Sequence, residues 1–140
     1  MYSVVIADDR QIVRAGLHML LEGCGSFTVM GEASDGNEAV ALSLTLMPDL
    51  LLTDLKMPGV SIIEGSRKLK ESLPHMKIII LTAFDESEDI YRAYKAGVDG
   101  YLMKDTSPET ILASIHEVMR GTAIFQPKEN RVQLTGENRL

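Results

Sequence analysis

Five side chains stand just beyond or at the ends of short apolar runs, and together they could do chemistry. Asp8 and Asp9 follow Val4–Ala7, Asp54 follows Leu50–Thr53, Thr82 closes Lys77–Leu81, and Lys104 follows Tyr101–Met103. Three carboxylates brought together repel one another, and a hard, oxygen-preferring cation such as Mg²⁺ is the simplest compensation. A carboxylate beside such a cation can attack phosphorus to form an acyl phosphate. The cation and a lysine then neutralise charge on the equatorial oxygens. In that chemistry Asp54 is the nucleophile. Taken singly, each residue has a plainer role: Asp9 could cap the next helix, Lys104 could be a solvated lysine, and Thr82 suits a strand end. The combination at four strand ends carries the argument.

The elements that must bring these residues together follow from the pattern along the chain. Val4–Ala7 is a strand, and Val13, Gly16, Leu17, Leu20 and Leu21 recur at helical spacing before Gly23 and Gly25. Phe27–Ala33 is a second strand. Asp35 with Glu38 resembles a capping box that opens a helix through Leu46. After Pro48 and Asp49 comes the run ending on Asp54. Pro58-Gly59 marks a loop, a helix spans about Ile62 to Leu73, and Pro74 breaks it. Lys77–Leu81, with three consecutive isoleucines, is strongly β-favouring. Asp85–Ala96 is helical with Gly97 as its terminator, Tyr101–Met103 is a short strand, and Ser107-Pro108 opens a helix to about Arg120.

Five strand-helix units in alternation predict a five-stranded, doubly wound parallel α/β sheet with right-handed crossovers. In the order 2-1-3-4-5, the ligand site lies outside the carboxyl ends of the strands, at the switch point between strands 1 and 3. Asp8, Asp9 and Asp54 fall there.

Composition narrows the classes. The chain has 140 residues, 45% of them hydrophobic and 24% charged, within the range of globular chains and enough for one sizeable core. A net charge of −6 argues against direct nucleic-acid contact by this segment. Cys24 is the only cysteine, so neither an internal disulfide nor a multi-cysteine metal site is expected. No apolar run approaches the roughly 18 residues of a membrane span, and the N-terminus shows no export signal pattern. A cytoplasmic location is expected.

The segments VVIADD, LLLTDLKMPG, KIIILTAF and AGVDGYLMKD, starting at Val4, Leu50, Lys77 and Ala96, resemble the receiver domains of bacterial response regulators. The likeness spans about residues 3–121, and GYLMKD resembles the nitrate-regulator or LuxR-type subfamily. The resemblance implies a flavodoxin-like receiver fold over residues 1–121, with 122–140 as a linker or tail. It implies that Asp9, Asp54 and the Lys56 backbone carbonyl ligate Mg²⁺ and that Asp8 reaches it through water. Thr82 and Lys104 would bind phosphoryl oxygens, and Tyr101 would be the aromatic partner of Thr82, swinging inward as the hydroxyl moves toward Asp54. A sensor histidine kinase would supply the phosphoryl group. The output would be transcription through a DNA-binding domain absent from this chain, with a homodimer on phosphorylation as a further response.

Two departures from the family pattern stand out. Val60-Ser61-Ile62 replaces the usual residues after the Met57-Pro58-Gly59 turn, and Asp105 rather than proline follows Lys104. Rival readings are weaker. A dehalogenase-type Mg²⁺ phosphohydrolase wants an aspartate two residues after its nucleophile, where this chain has Lys56, so enzymatic turnover is not expected. A flavin-mononucleotide module would want a Ser/Thr/Gly-rich phosphate loop where Asp8-Asp9 stand. A stand-alone receiver acting by protein-protein contact is the remaining alternative. His18, His75 and His116 lie in separate elements, Cys24 reads as structural, and Tyr91 and Tyr94 read as packing or surface residues.

Overall fold

A computed structural model describes residues 1–84 and 86–126. Strands β1 (Tyr2–Ala7), β2 (Phe27–Ala33), β3 (Leu50–Thr53), β4 (Lys77–Thr82), β5 (Gly100–Met103) and β6 (Ile124–Phe125) form one parallel sheet. Helices α1 (Gln11–Gly23), α2 (Gly36–Leu46), α3 (Ile62–Ser72), α4 (Ser87–Lys95) and α5 (Pro108–Met119) connect them. The order β2-β1-β3-β4-β5-β6 contains the expected 2-1-3-4-5 arrangement and corrects its strand count from five to six. The added strand comes from a segment read as tail. Its Ile124 N–H donates to Asp99 C=O at 3.2 Å and the following Gln126 N–H to Tyr101 C=O at 2.8 Å, pairing backbone groups that β5 would otherwise leave on a free edge. Residues 127–140 of the expected linker lie outside the described residues.

Alternation along the strands divides the core. Val5, Ala7, Leu51, Ile78, Ile80, Tyr101 and Met103 pack on one face with residues of α2, α3 and α4, among them Ala39, Ile63, Leu69 and Ala93. Val4, Ile6, Leu50, Leu52, Ile79, Leu81 and Leu102 pack on the other with Leu21 of α1 and Ile111, Ile115 and Val118 of α5. Both faces of β1, β3 and β4 are therefore apolar, as a parallel sheet covered on both sides requires. This double burial explains why these strands read as continuous runs in the sequence.

Local signals set most boundaries. The Asp35 carboxylate accepts from Glu38 N–H at 2.7 Å, while Glu38 reaches back to Ser34 N–H at 2.8 Å, one residue beyond the partner a strict capping box would use. Ser107 caps α5 by accepting from Thr110 N–H at 3.2 Å, with Pro108 at the first helical position. Gly97 takes φ +93° after α4, a conformation that favours glycine. The start of α4 differs from expectation: the helix begins at Ser87, Glu86 makes no side-chain cap bond, and Asp85 lies outside the described residues.

The departure at Val60-Ser61-Ile62 has a structural counterpart. The Ser61 hydroxyl caps α3 by accepting from Glu64 N–H at 3.4 Å. The same loop is fastened to the start of α2, where Gly36 N–H donates to Pro58 C=O at 2.9 Å and Val60 N–H to Asn37 Oδ1 at 3.1 Å. A side chain at Gly36 would run into the Val60 carbonyl, so only glycine permits this approach. The stretch after Asp54 is thereby anchored from the α2 side.

Candidate functional site: an acidic pocket at the carboxyl ends of the strands

Backbone pairing delivers the site. Asp8 N–H donates to Ala33 C=O at 3.0 Å, Asp54 N–H to Ala7 C=O at 2.8 Å, and Lys104 N–H to Thr82 C=O at 2.8 Å. These bonds continue the parallel ladders one residue past the strands, so residues distant in sequence emerge side by side. One carboxylate oxygen from each of Asp8, Asp9 and Asp54 lies within 4.8 Å of the others. Asp8 and Asp54 are buried, at 1% and 7% exposure, whereas Asp9 is exposed.

The lysine expected near the phosphoryl group is already engaged. Lys104 Nζ lies 2.7 Å from Asp8 Oδ2 and 3.3 Å from Asp54 Oδ2. Asp8 Oδ1 accepts from Arg10 N–H at 2.9 Å, and Asp54 Oδ1 accepts from Leu55 N–H at 2.8 Å. Arg14 on α1 donates to the Asp8 carbonyl at 2.8 Å, holding the turn. Sequence reasoning missed these supports. Two of them are backbone amides, which have no residue-type signal, and Arg14 was readable only as a helix-face residue. Three carboxylates against one ammonium leave an excess of negative charge, and an all-oxygen set of this kind suits a hard divalent cation such as Mg²⁺.

Thr82 is fully buried, and its hydroxyl accepts from Phe84 N–H at 3.4 Å. Tyr101 is fully buried too, with its hydroxyl donating to Phe84 C=O at 2.6 Å. The inward position expected only after a swing is thus the one occupied here. Tyr101 points to the α2–α4 face of the sheet, and the Phe84 carbonyl satisfies the buried phenol there. The Lys56 side chain turns away from the carboxylates, 3.7 Å from Asp89 Oδ2 and 5.6 Å from the centre of the Phe84 ring. The Lys104–Asp105 peptide is trans.

The other sequence candidates fall elsewhere. His18 bonds Glu32 of β2 at 3.1 Å, His116 packs on Phe27, and His75 is exposed. Cys24 is exposed, with its thiol on Leu21 C=O. Tyr94 packs edge-on against Phe125 of β6, and Tyr91 is exposed. Among the described residues no helix is long and apolar enough to cross a membrane.

A doubly wound parallel sheet with an acidic pocket at its switch point defines a flavodoxin-like receiver fold. Residues 4–116 match the family model described as the response regulator receiver domain, and the chain belongs to that family. It is 42% identical over 123 residues to YxjL of Bacillus subtilis, an uncharacterized transcriptional regulatory protein, covering 88% of this chain and 56% of that one. The signal receiver domain of the putative response regulator NarL from Mycobacterium tuberculosis superposes with TM-score 0.81 at 30% identity, over 86% of this chain and 97% of that one. A LuxR-family two-component response regulator from Aurantimonas gives 0.85 at 30% identity over 91% of each chain. These relatives place the chain among LuxR/NarL-type response regulators, of which it is the receiver part. It spans little more than half the length of YxjL.

Proposed function

We propose that this receiver accepts a phosphoryl group on Asp54 from a sensor histidine kinase. The observation that carries the reading is the Lys104 ammonium standing between the Asp8 and Asp54 carboxylates at the switch point. Asp54 Oδ1 is held by the Leu55 amide, which leaves Oδ2, on the lysine side, to attack phosphorus. The new O–P bond forms as the P–N bond to the donor imidazole breaks, and the imidazole nitrogen leaves with the electron pair. Lys104 then moves part of its interaction from Asp8 to a phosphoryl oxygen. The Thr82 hydroxyl gives up the weak Phe84 contact to donate to another.

Asp9, Asp54 and the Lys56 carbonyl would hold Mg²⁺, with Asp8 reaching it through water. Bound there, the cation supplies charge neutralisation on the phosphoryl oxygens. The side chain at the position where a phosphohydrolase would carry its acid/base is Lys56, turned toward Asp89, which supports storage of the phosphoryl group over turnover. The output would be transcription through a DNA-binding domain, a reading supported by the name of the relative YxjL, a transcriptional regulatory protein of which this chain covers 56%. Homodimerisation on phosphorylation would accompany it.

Incubation with acetyl phosphate and Mg²⁺ followed by intact mass tests the core of this reading. One hydroxylamine-labile phosphoryl adduct is expected on the parent and none on Asp54→Asn. Undiminished labelling of Asp54→Asn would overturn the assignment.

A further inference from the structure

Asp89, in the first turn of α4, is a carboxylate that the acyl-phosphate chemistry does not use, yet it is 8% exposed. Its Oδ2 is buried and has no hydrogen-bond partner among the described residues. A buried carboxylate oxygen without a hydrogen bond is costly, so nearby charge must compensate it. The cations near the carboxylate are Lys56, 3.7 Å from Oδ2, and Arg92, 3.8 Å from Oδ1, both beyond hydrogen-bond reach, and the amide dipoles of the first turn add to them. The two cations differ in where they come from. Arg92 sits on α4 itself and constrains nothing outside the helix. Lys56 comes from the loop that begins at Asp54.

The Lys56 side chain is half exposed and could extend fully into water. Instead its ammonium lies between the Asp89 carboxylate and the Phe84 ring, two groups of the same β4–α4 segment. That segment also carries Thr82, and the Phe84 carbonyl accepts the Tyr101 hydroxyl. One stretch of chain is therefore fastened to the pocket at Thr82, to β5 through Tyr101, and to the loop after Asp54 through Lys56. The opposite side of that loop is pinned to α2 by the Gly36 and Asn37 contacts. Lys56–Asp89 is its tie on the α4 side.

We propose that Asp89 is a positioning residue for the phosphoacceptor site: by drawing the Lys56 ammonium toward α4, it sets the Lys56 backbone carbonyl and couples cation binding to the placement of α4. The inference rests on the reading of Asp9, Asp54 and the Lys56 carbonyl as the cation's ligands. A contact between two charged side chains that served only α4 stability would leave cation affinity untouched.

The test is a Mg²⁺ titration of ¹⁵N-labelled protein without phosphodonor, followed through amide shifts in the Asp54 loop and in Ser87–Lys95. Asp89→Asn is expected to weaken Mg²⁺ binding by roughly three- to ten-fold, the size usual for residues coupled through a direct contact. It should also shrink the Mg²⁺-dependent shifts in α4, and Asp89→Glu should restore both. Lys56→Met combined with Asp89→Asn should be no weaker than either single change, since the two act through one contact. Parent-like Mg²⁺ affinity in Asp89→Asn, or full additivity in the double variant, would overturn the proposal. Asp9→Ala separates the two levels. If it weakens Mg²⁺ while Asp89→Asn does not, this inference fails alone; if the parent shows no Mg²⁺-dependent shifts, the ligand reading fails and takes this inference with it.

Discussion

At the amino ends of the strands, Asp49 and Asp99 each have partners of their own. Asp49 Oδ2 accepts from Ser3 N–H at 2.8 Å and from the Ser3 hydroxyl at 3.1 Å. Asp99 Oδ2 accepts from Lys70 Nζ and from Ile78 N–H, each at 2.9 Å. At the carboxyl ends, Asp8 and Asp54 share one lysine and crowd against Asp9. Acids at the first end tie neighbouring strands together. Those at the second are under-compensated, and a pocket with surplus negative charge is one that gains by taking a cation. Similar residues at two ends of one sheet thus do different work, decided by how many donors each acid must share.

The largest expected effect comes from taking away the shared cation. Lys104→Met should slow phosphorylation by acetyl phosphate about 100-fold, the usual consequence of losing one charged donor to a transferring group. A rate within a few fold of the parent would remove Lys104 from the phosphoryl site. Next in size is the mirror experiment at the other end. Asp99→Ala strips Lys70 and Ile78 N–H of a partly buried acceptor and should cost about 1–3 kcal/mol in chemical denaturation, with Asp54 labelling unchanged. Loss of labelling in a folded Asp99→Ala protein would break the contrast between the two ends.

A smaller effect of opposite sign sharpens it. Without Mg²⁺, Asp54→Asn relieves repulsion in the pocket while keeping an acceptor for Leu55 N–H, so thermal denaturation should show stability unchanged to about 1 kcal/mol higher. A marked destabilisation would mean that Asp54 is a structural acid like Asp99.

The smallest effect comes from an ion pair outside the three-carboxylate cluster. The hydrogen bond to Glu32, aided by the charge of Glu22, raises the His18 pKa above its ordinary 6.5, and the bond from His18 lowers that of Glu32. A raised histidine contributes stability that is full below its unfolded pKa and fades as pH rises through its folded value. A lowered glutamate contributes stability that is lost as pH falls through its folded value. The pair therefore helps most between the two, and the melting temperature should dip slightly as pH climbs past 6.5. His18→Gln should flatten that dip in a pH series of melting curves, leaving phosphorylation as it was; an unaltered pH profile would refute the assignment.

Much of this molecule was legible as sequence because its strands are buried on both faces. Continuous runs such as Leu50–Thr53 and Lys77–Thr82 mark such strands, and each run stops where chemistry begins, at Asp54 and at Thr82. Capping residues Asp35, Ser107 and Pro108 announce their helices by side-chain type. Strand β6 did not announce itself, since two residues carry no periodicity and their pairing depends on a β5 edge that exists only in the assembled sheet. The same holds within the site. Residue types and spacing determined that carboxylates, a hydroxyl and a lysine would meet, because parallel pairing brings strand ends together. Tertiary structure alone decided that Lys104 lies closest to Asp8, that Tyr101 sits inward under the Phe84 carbonyl, and that Lys56 turns from the pocket toward Asp89. Those choices are distances between groups far apart in the chain, and no one-dimensional pattern encodes a distance.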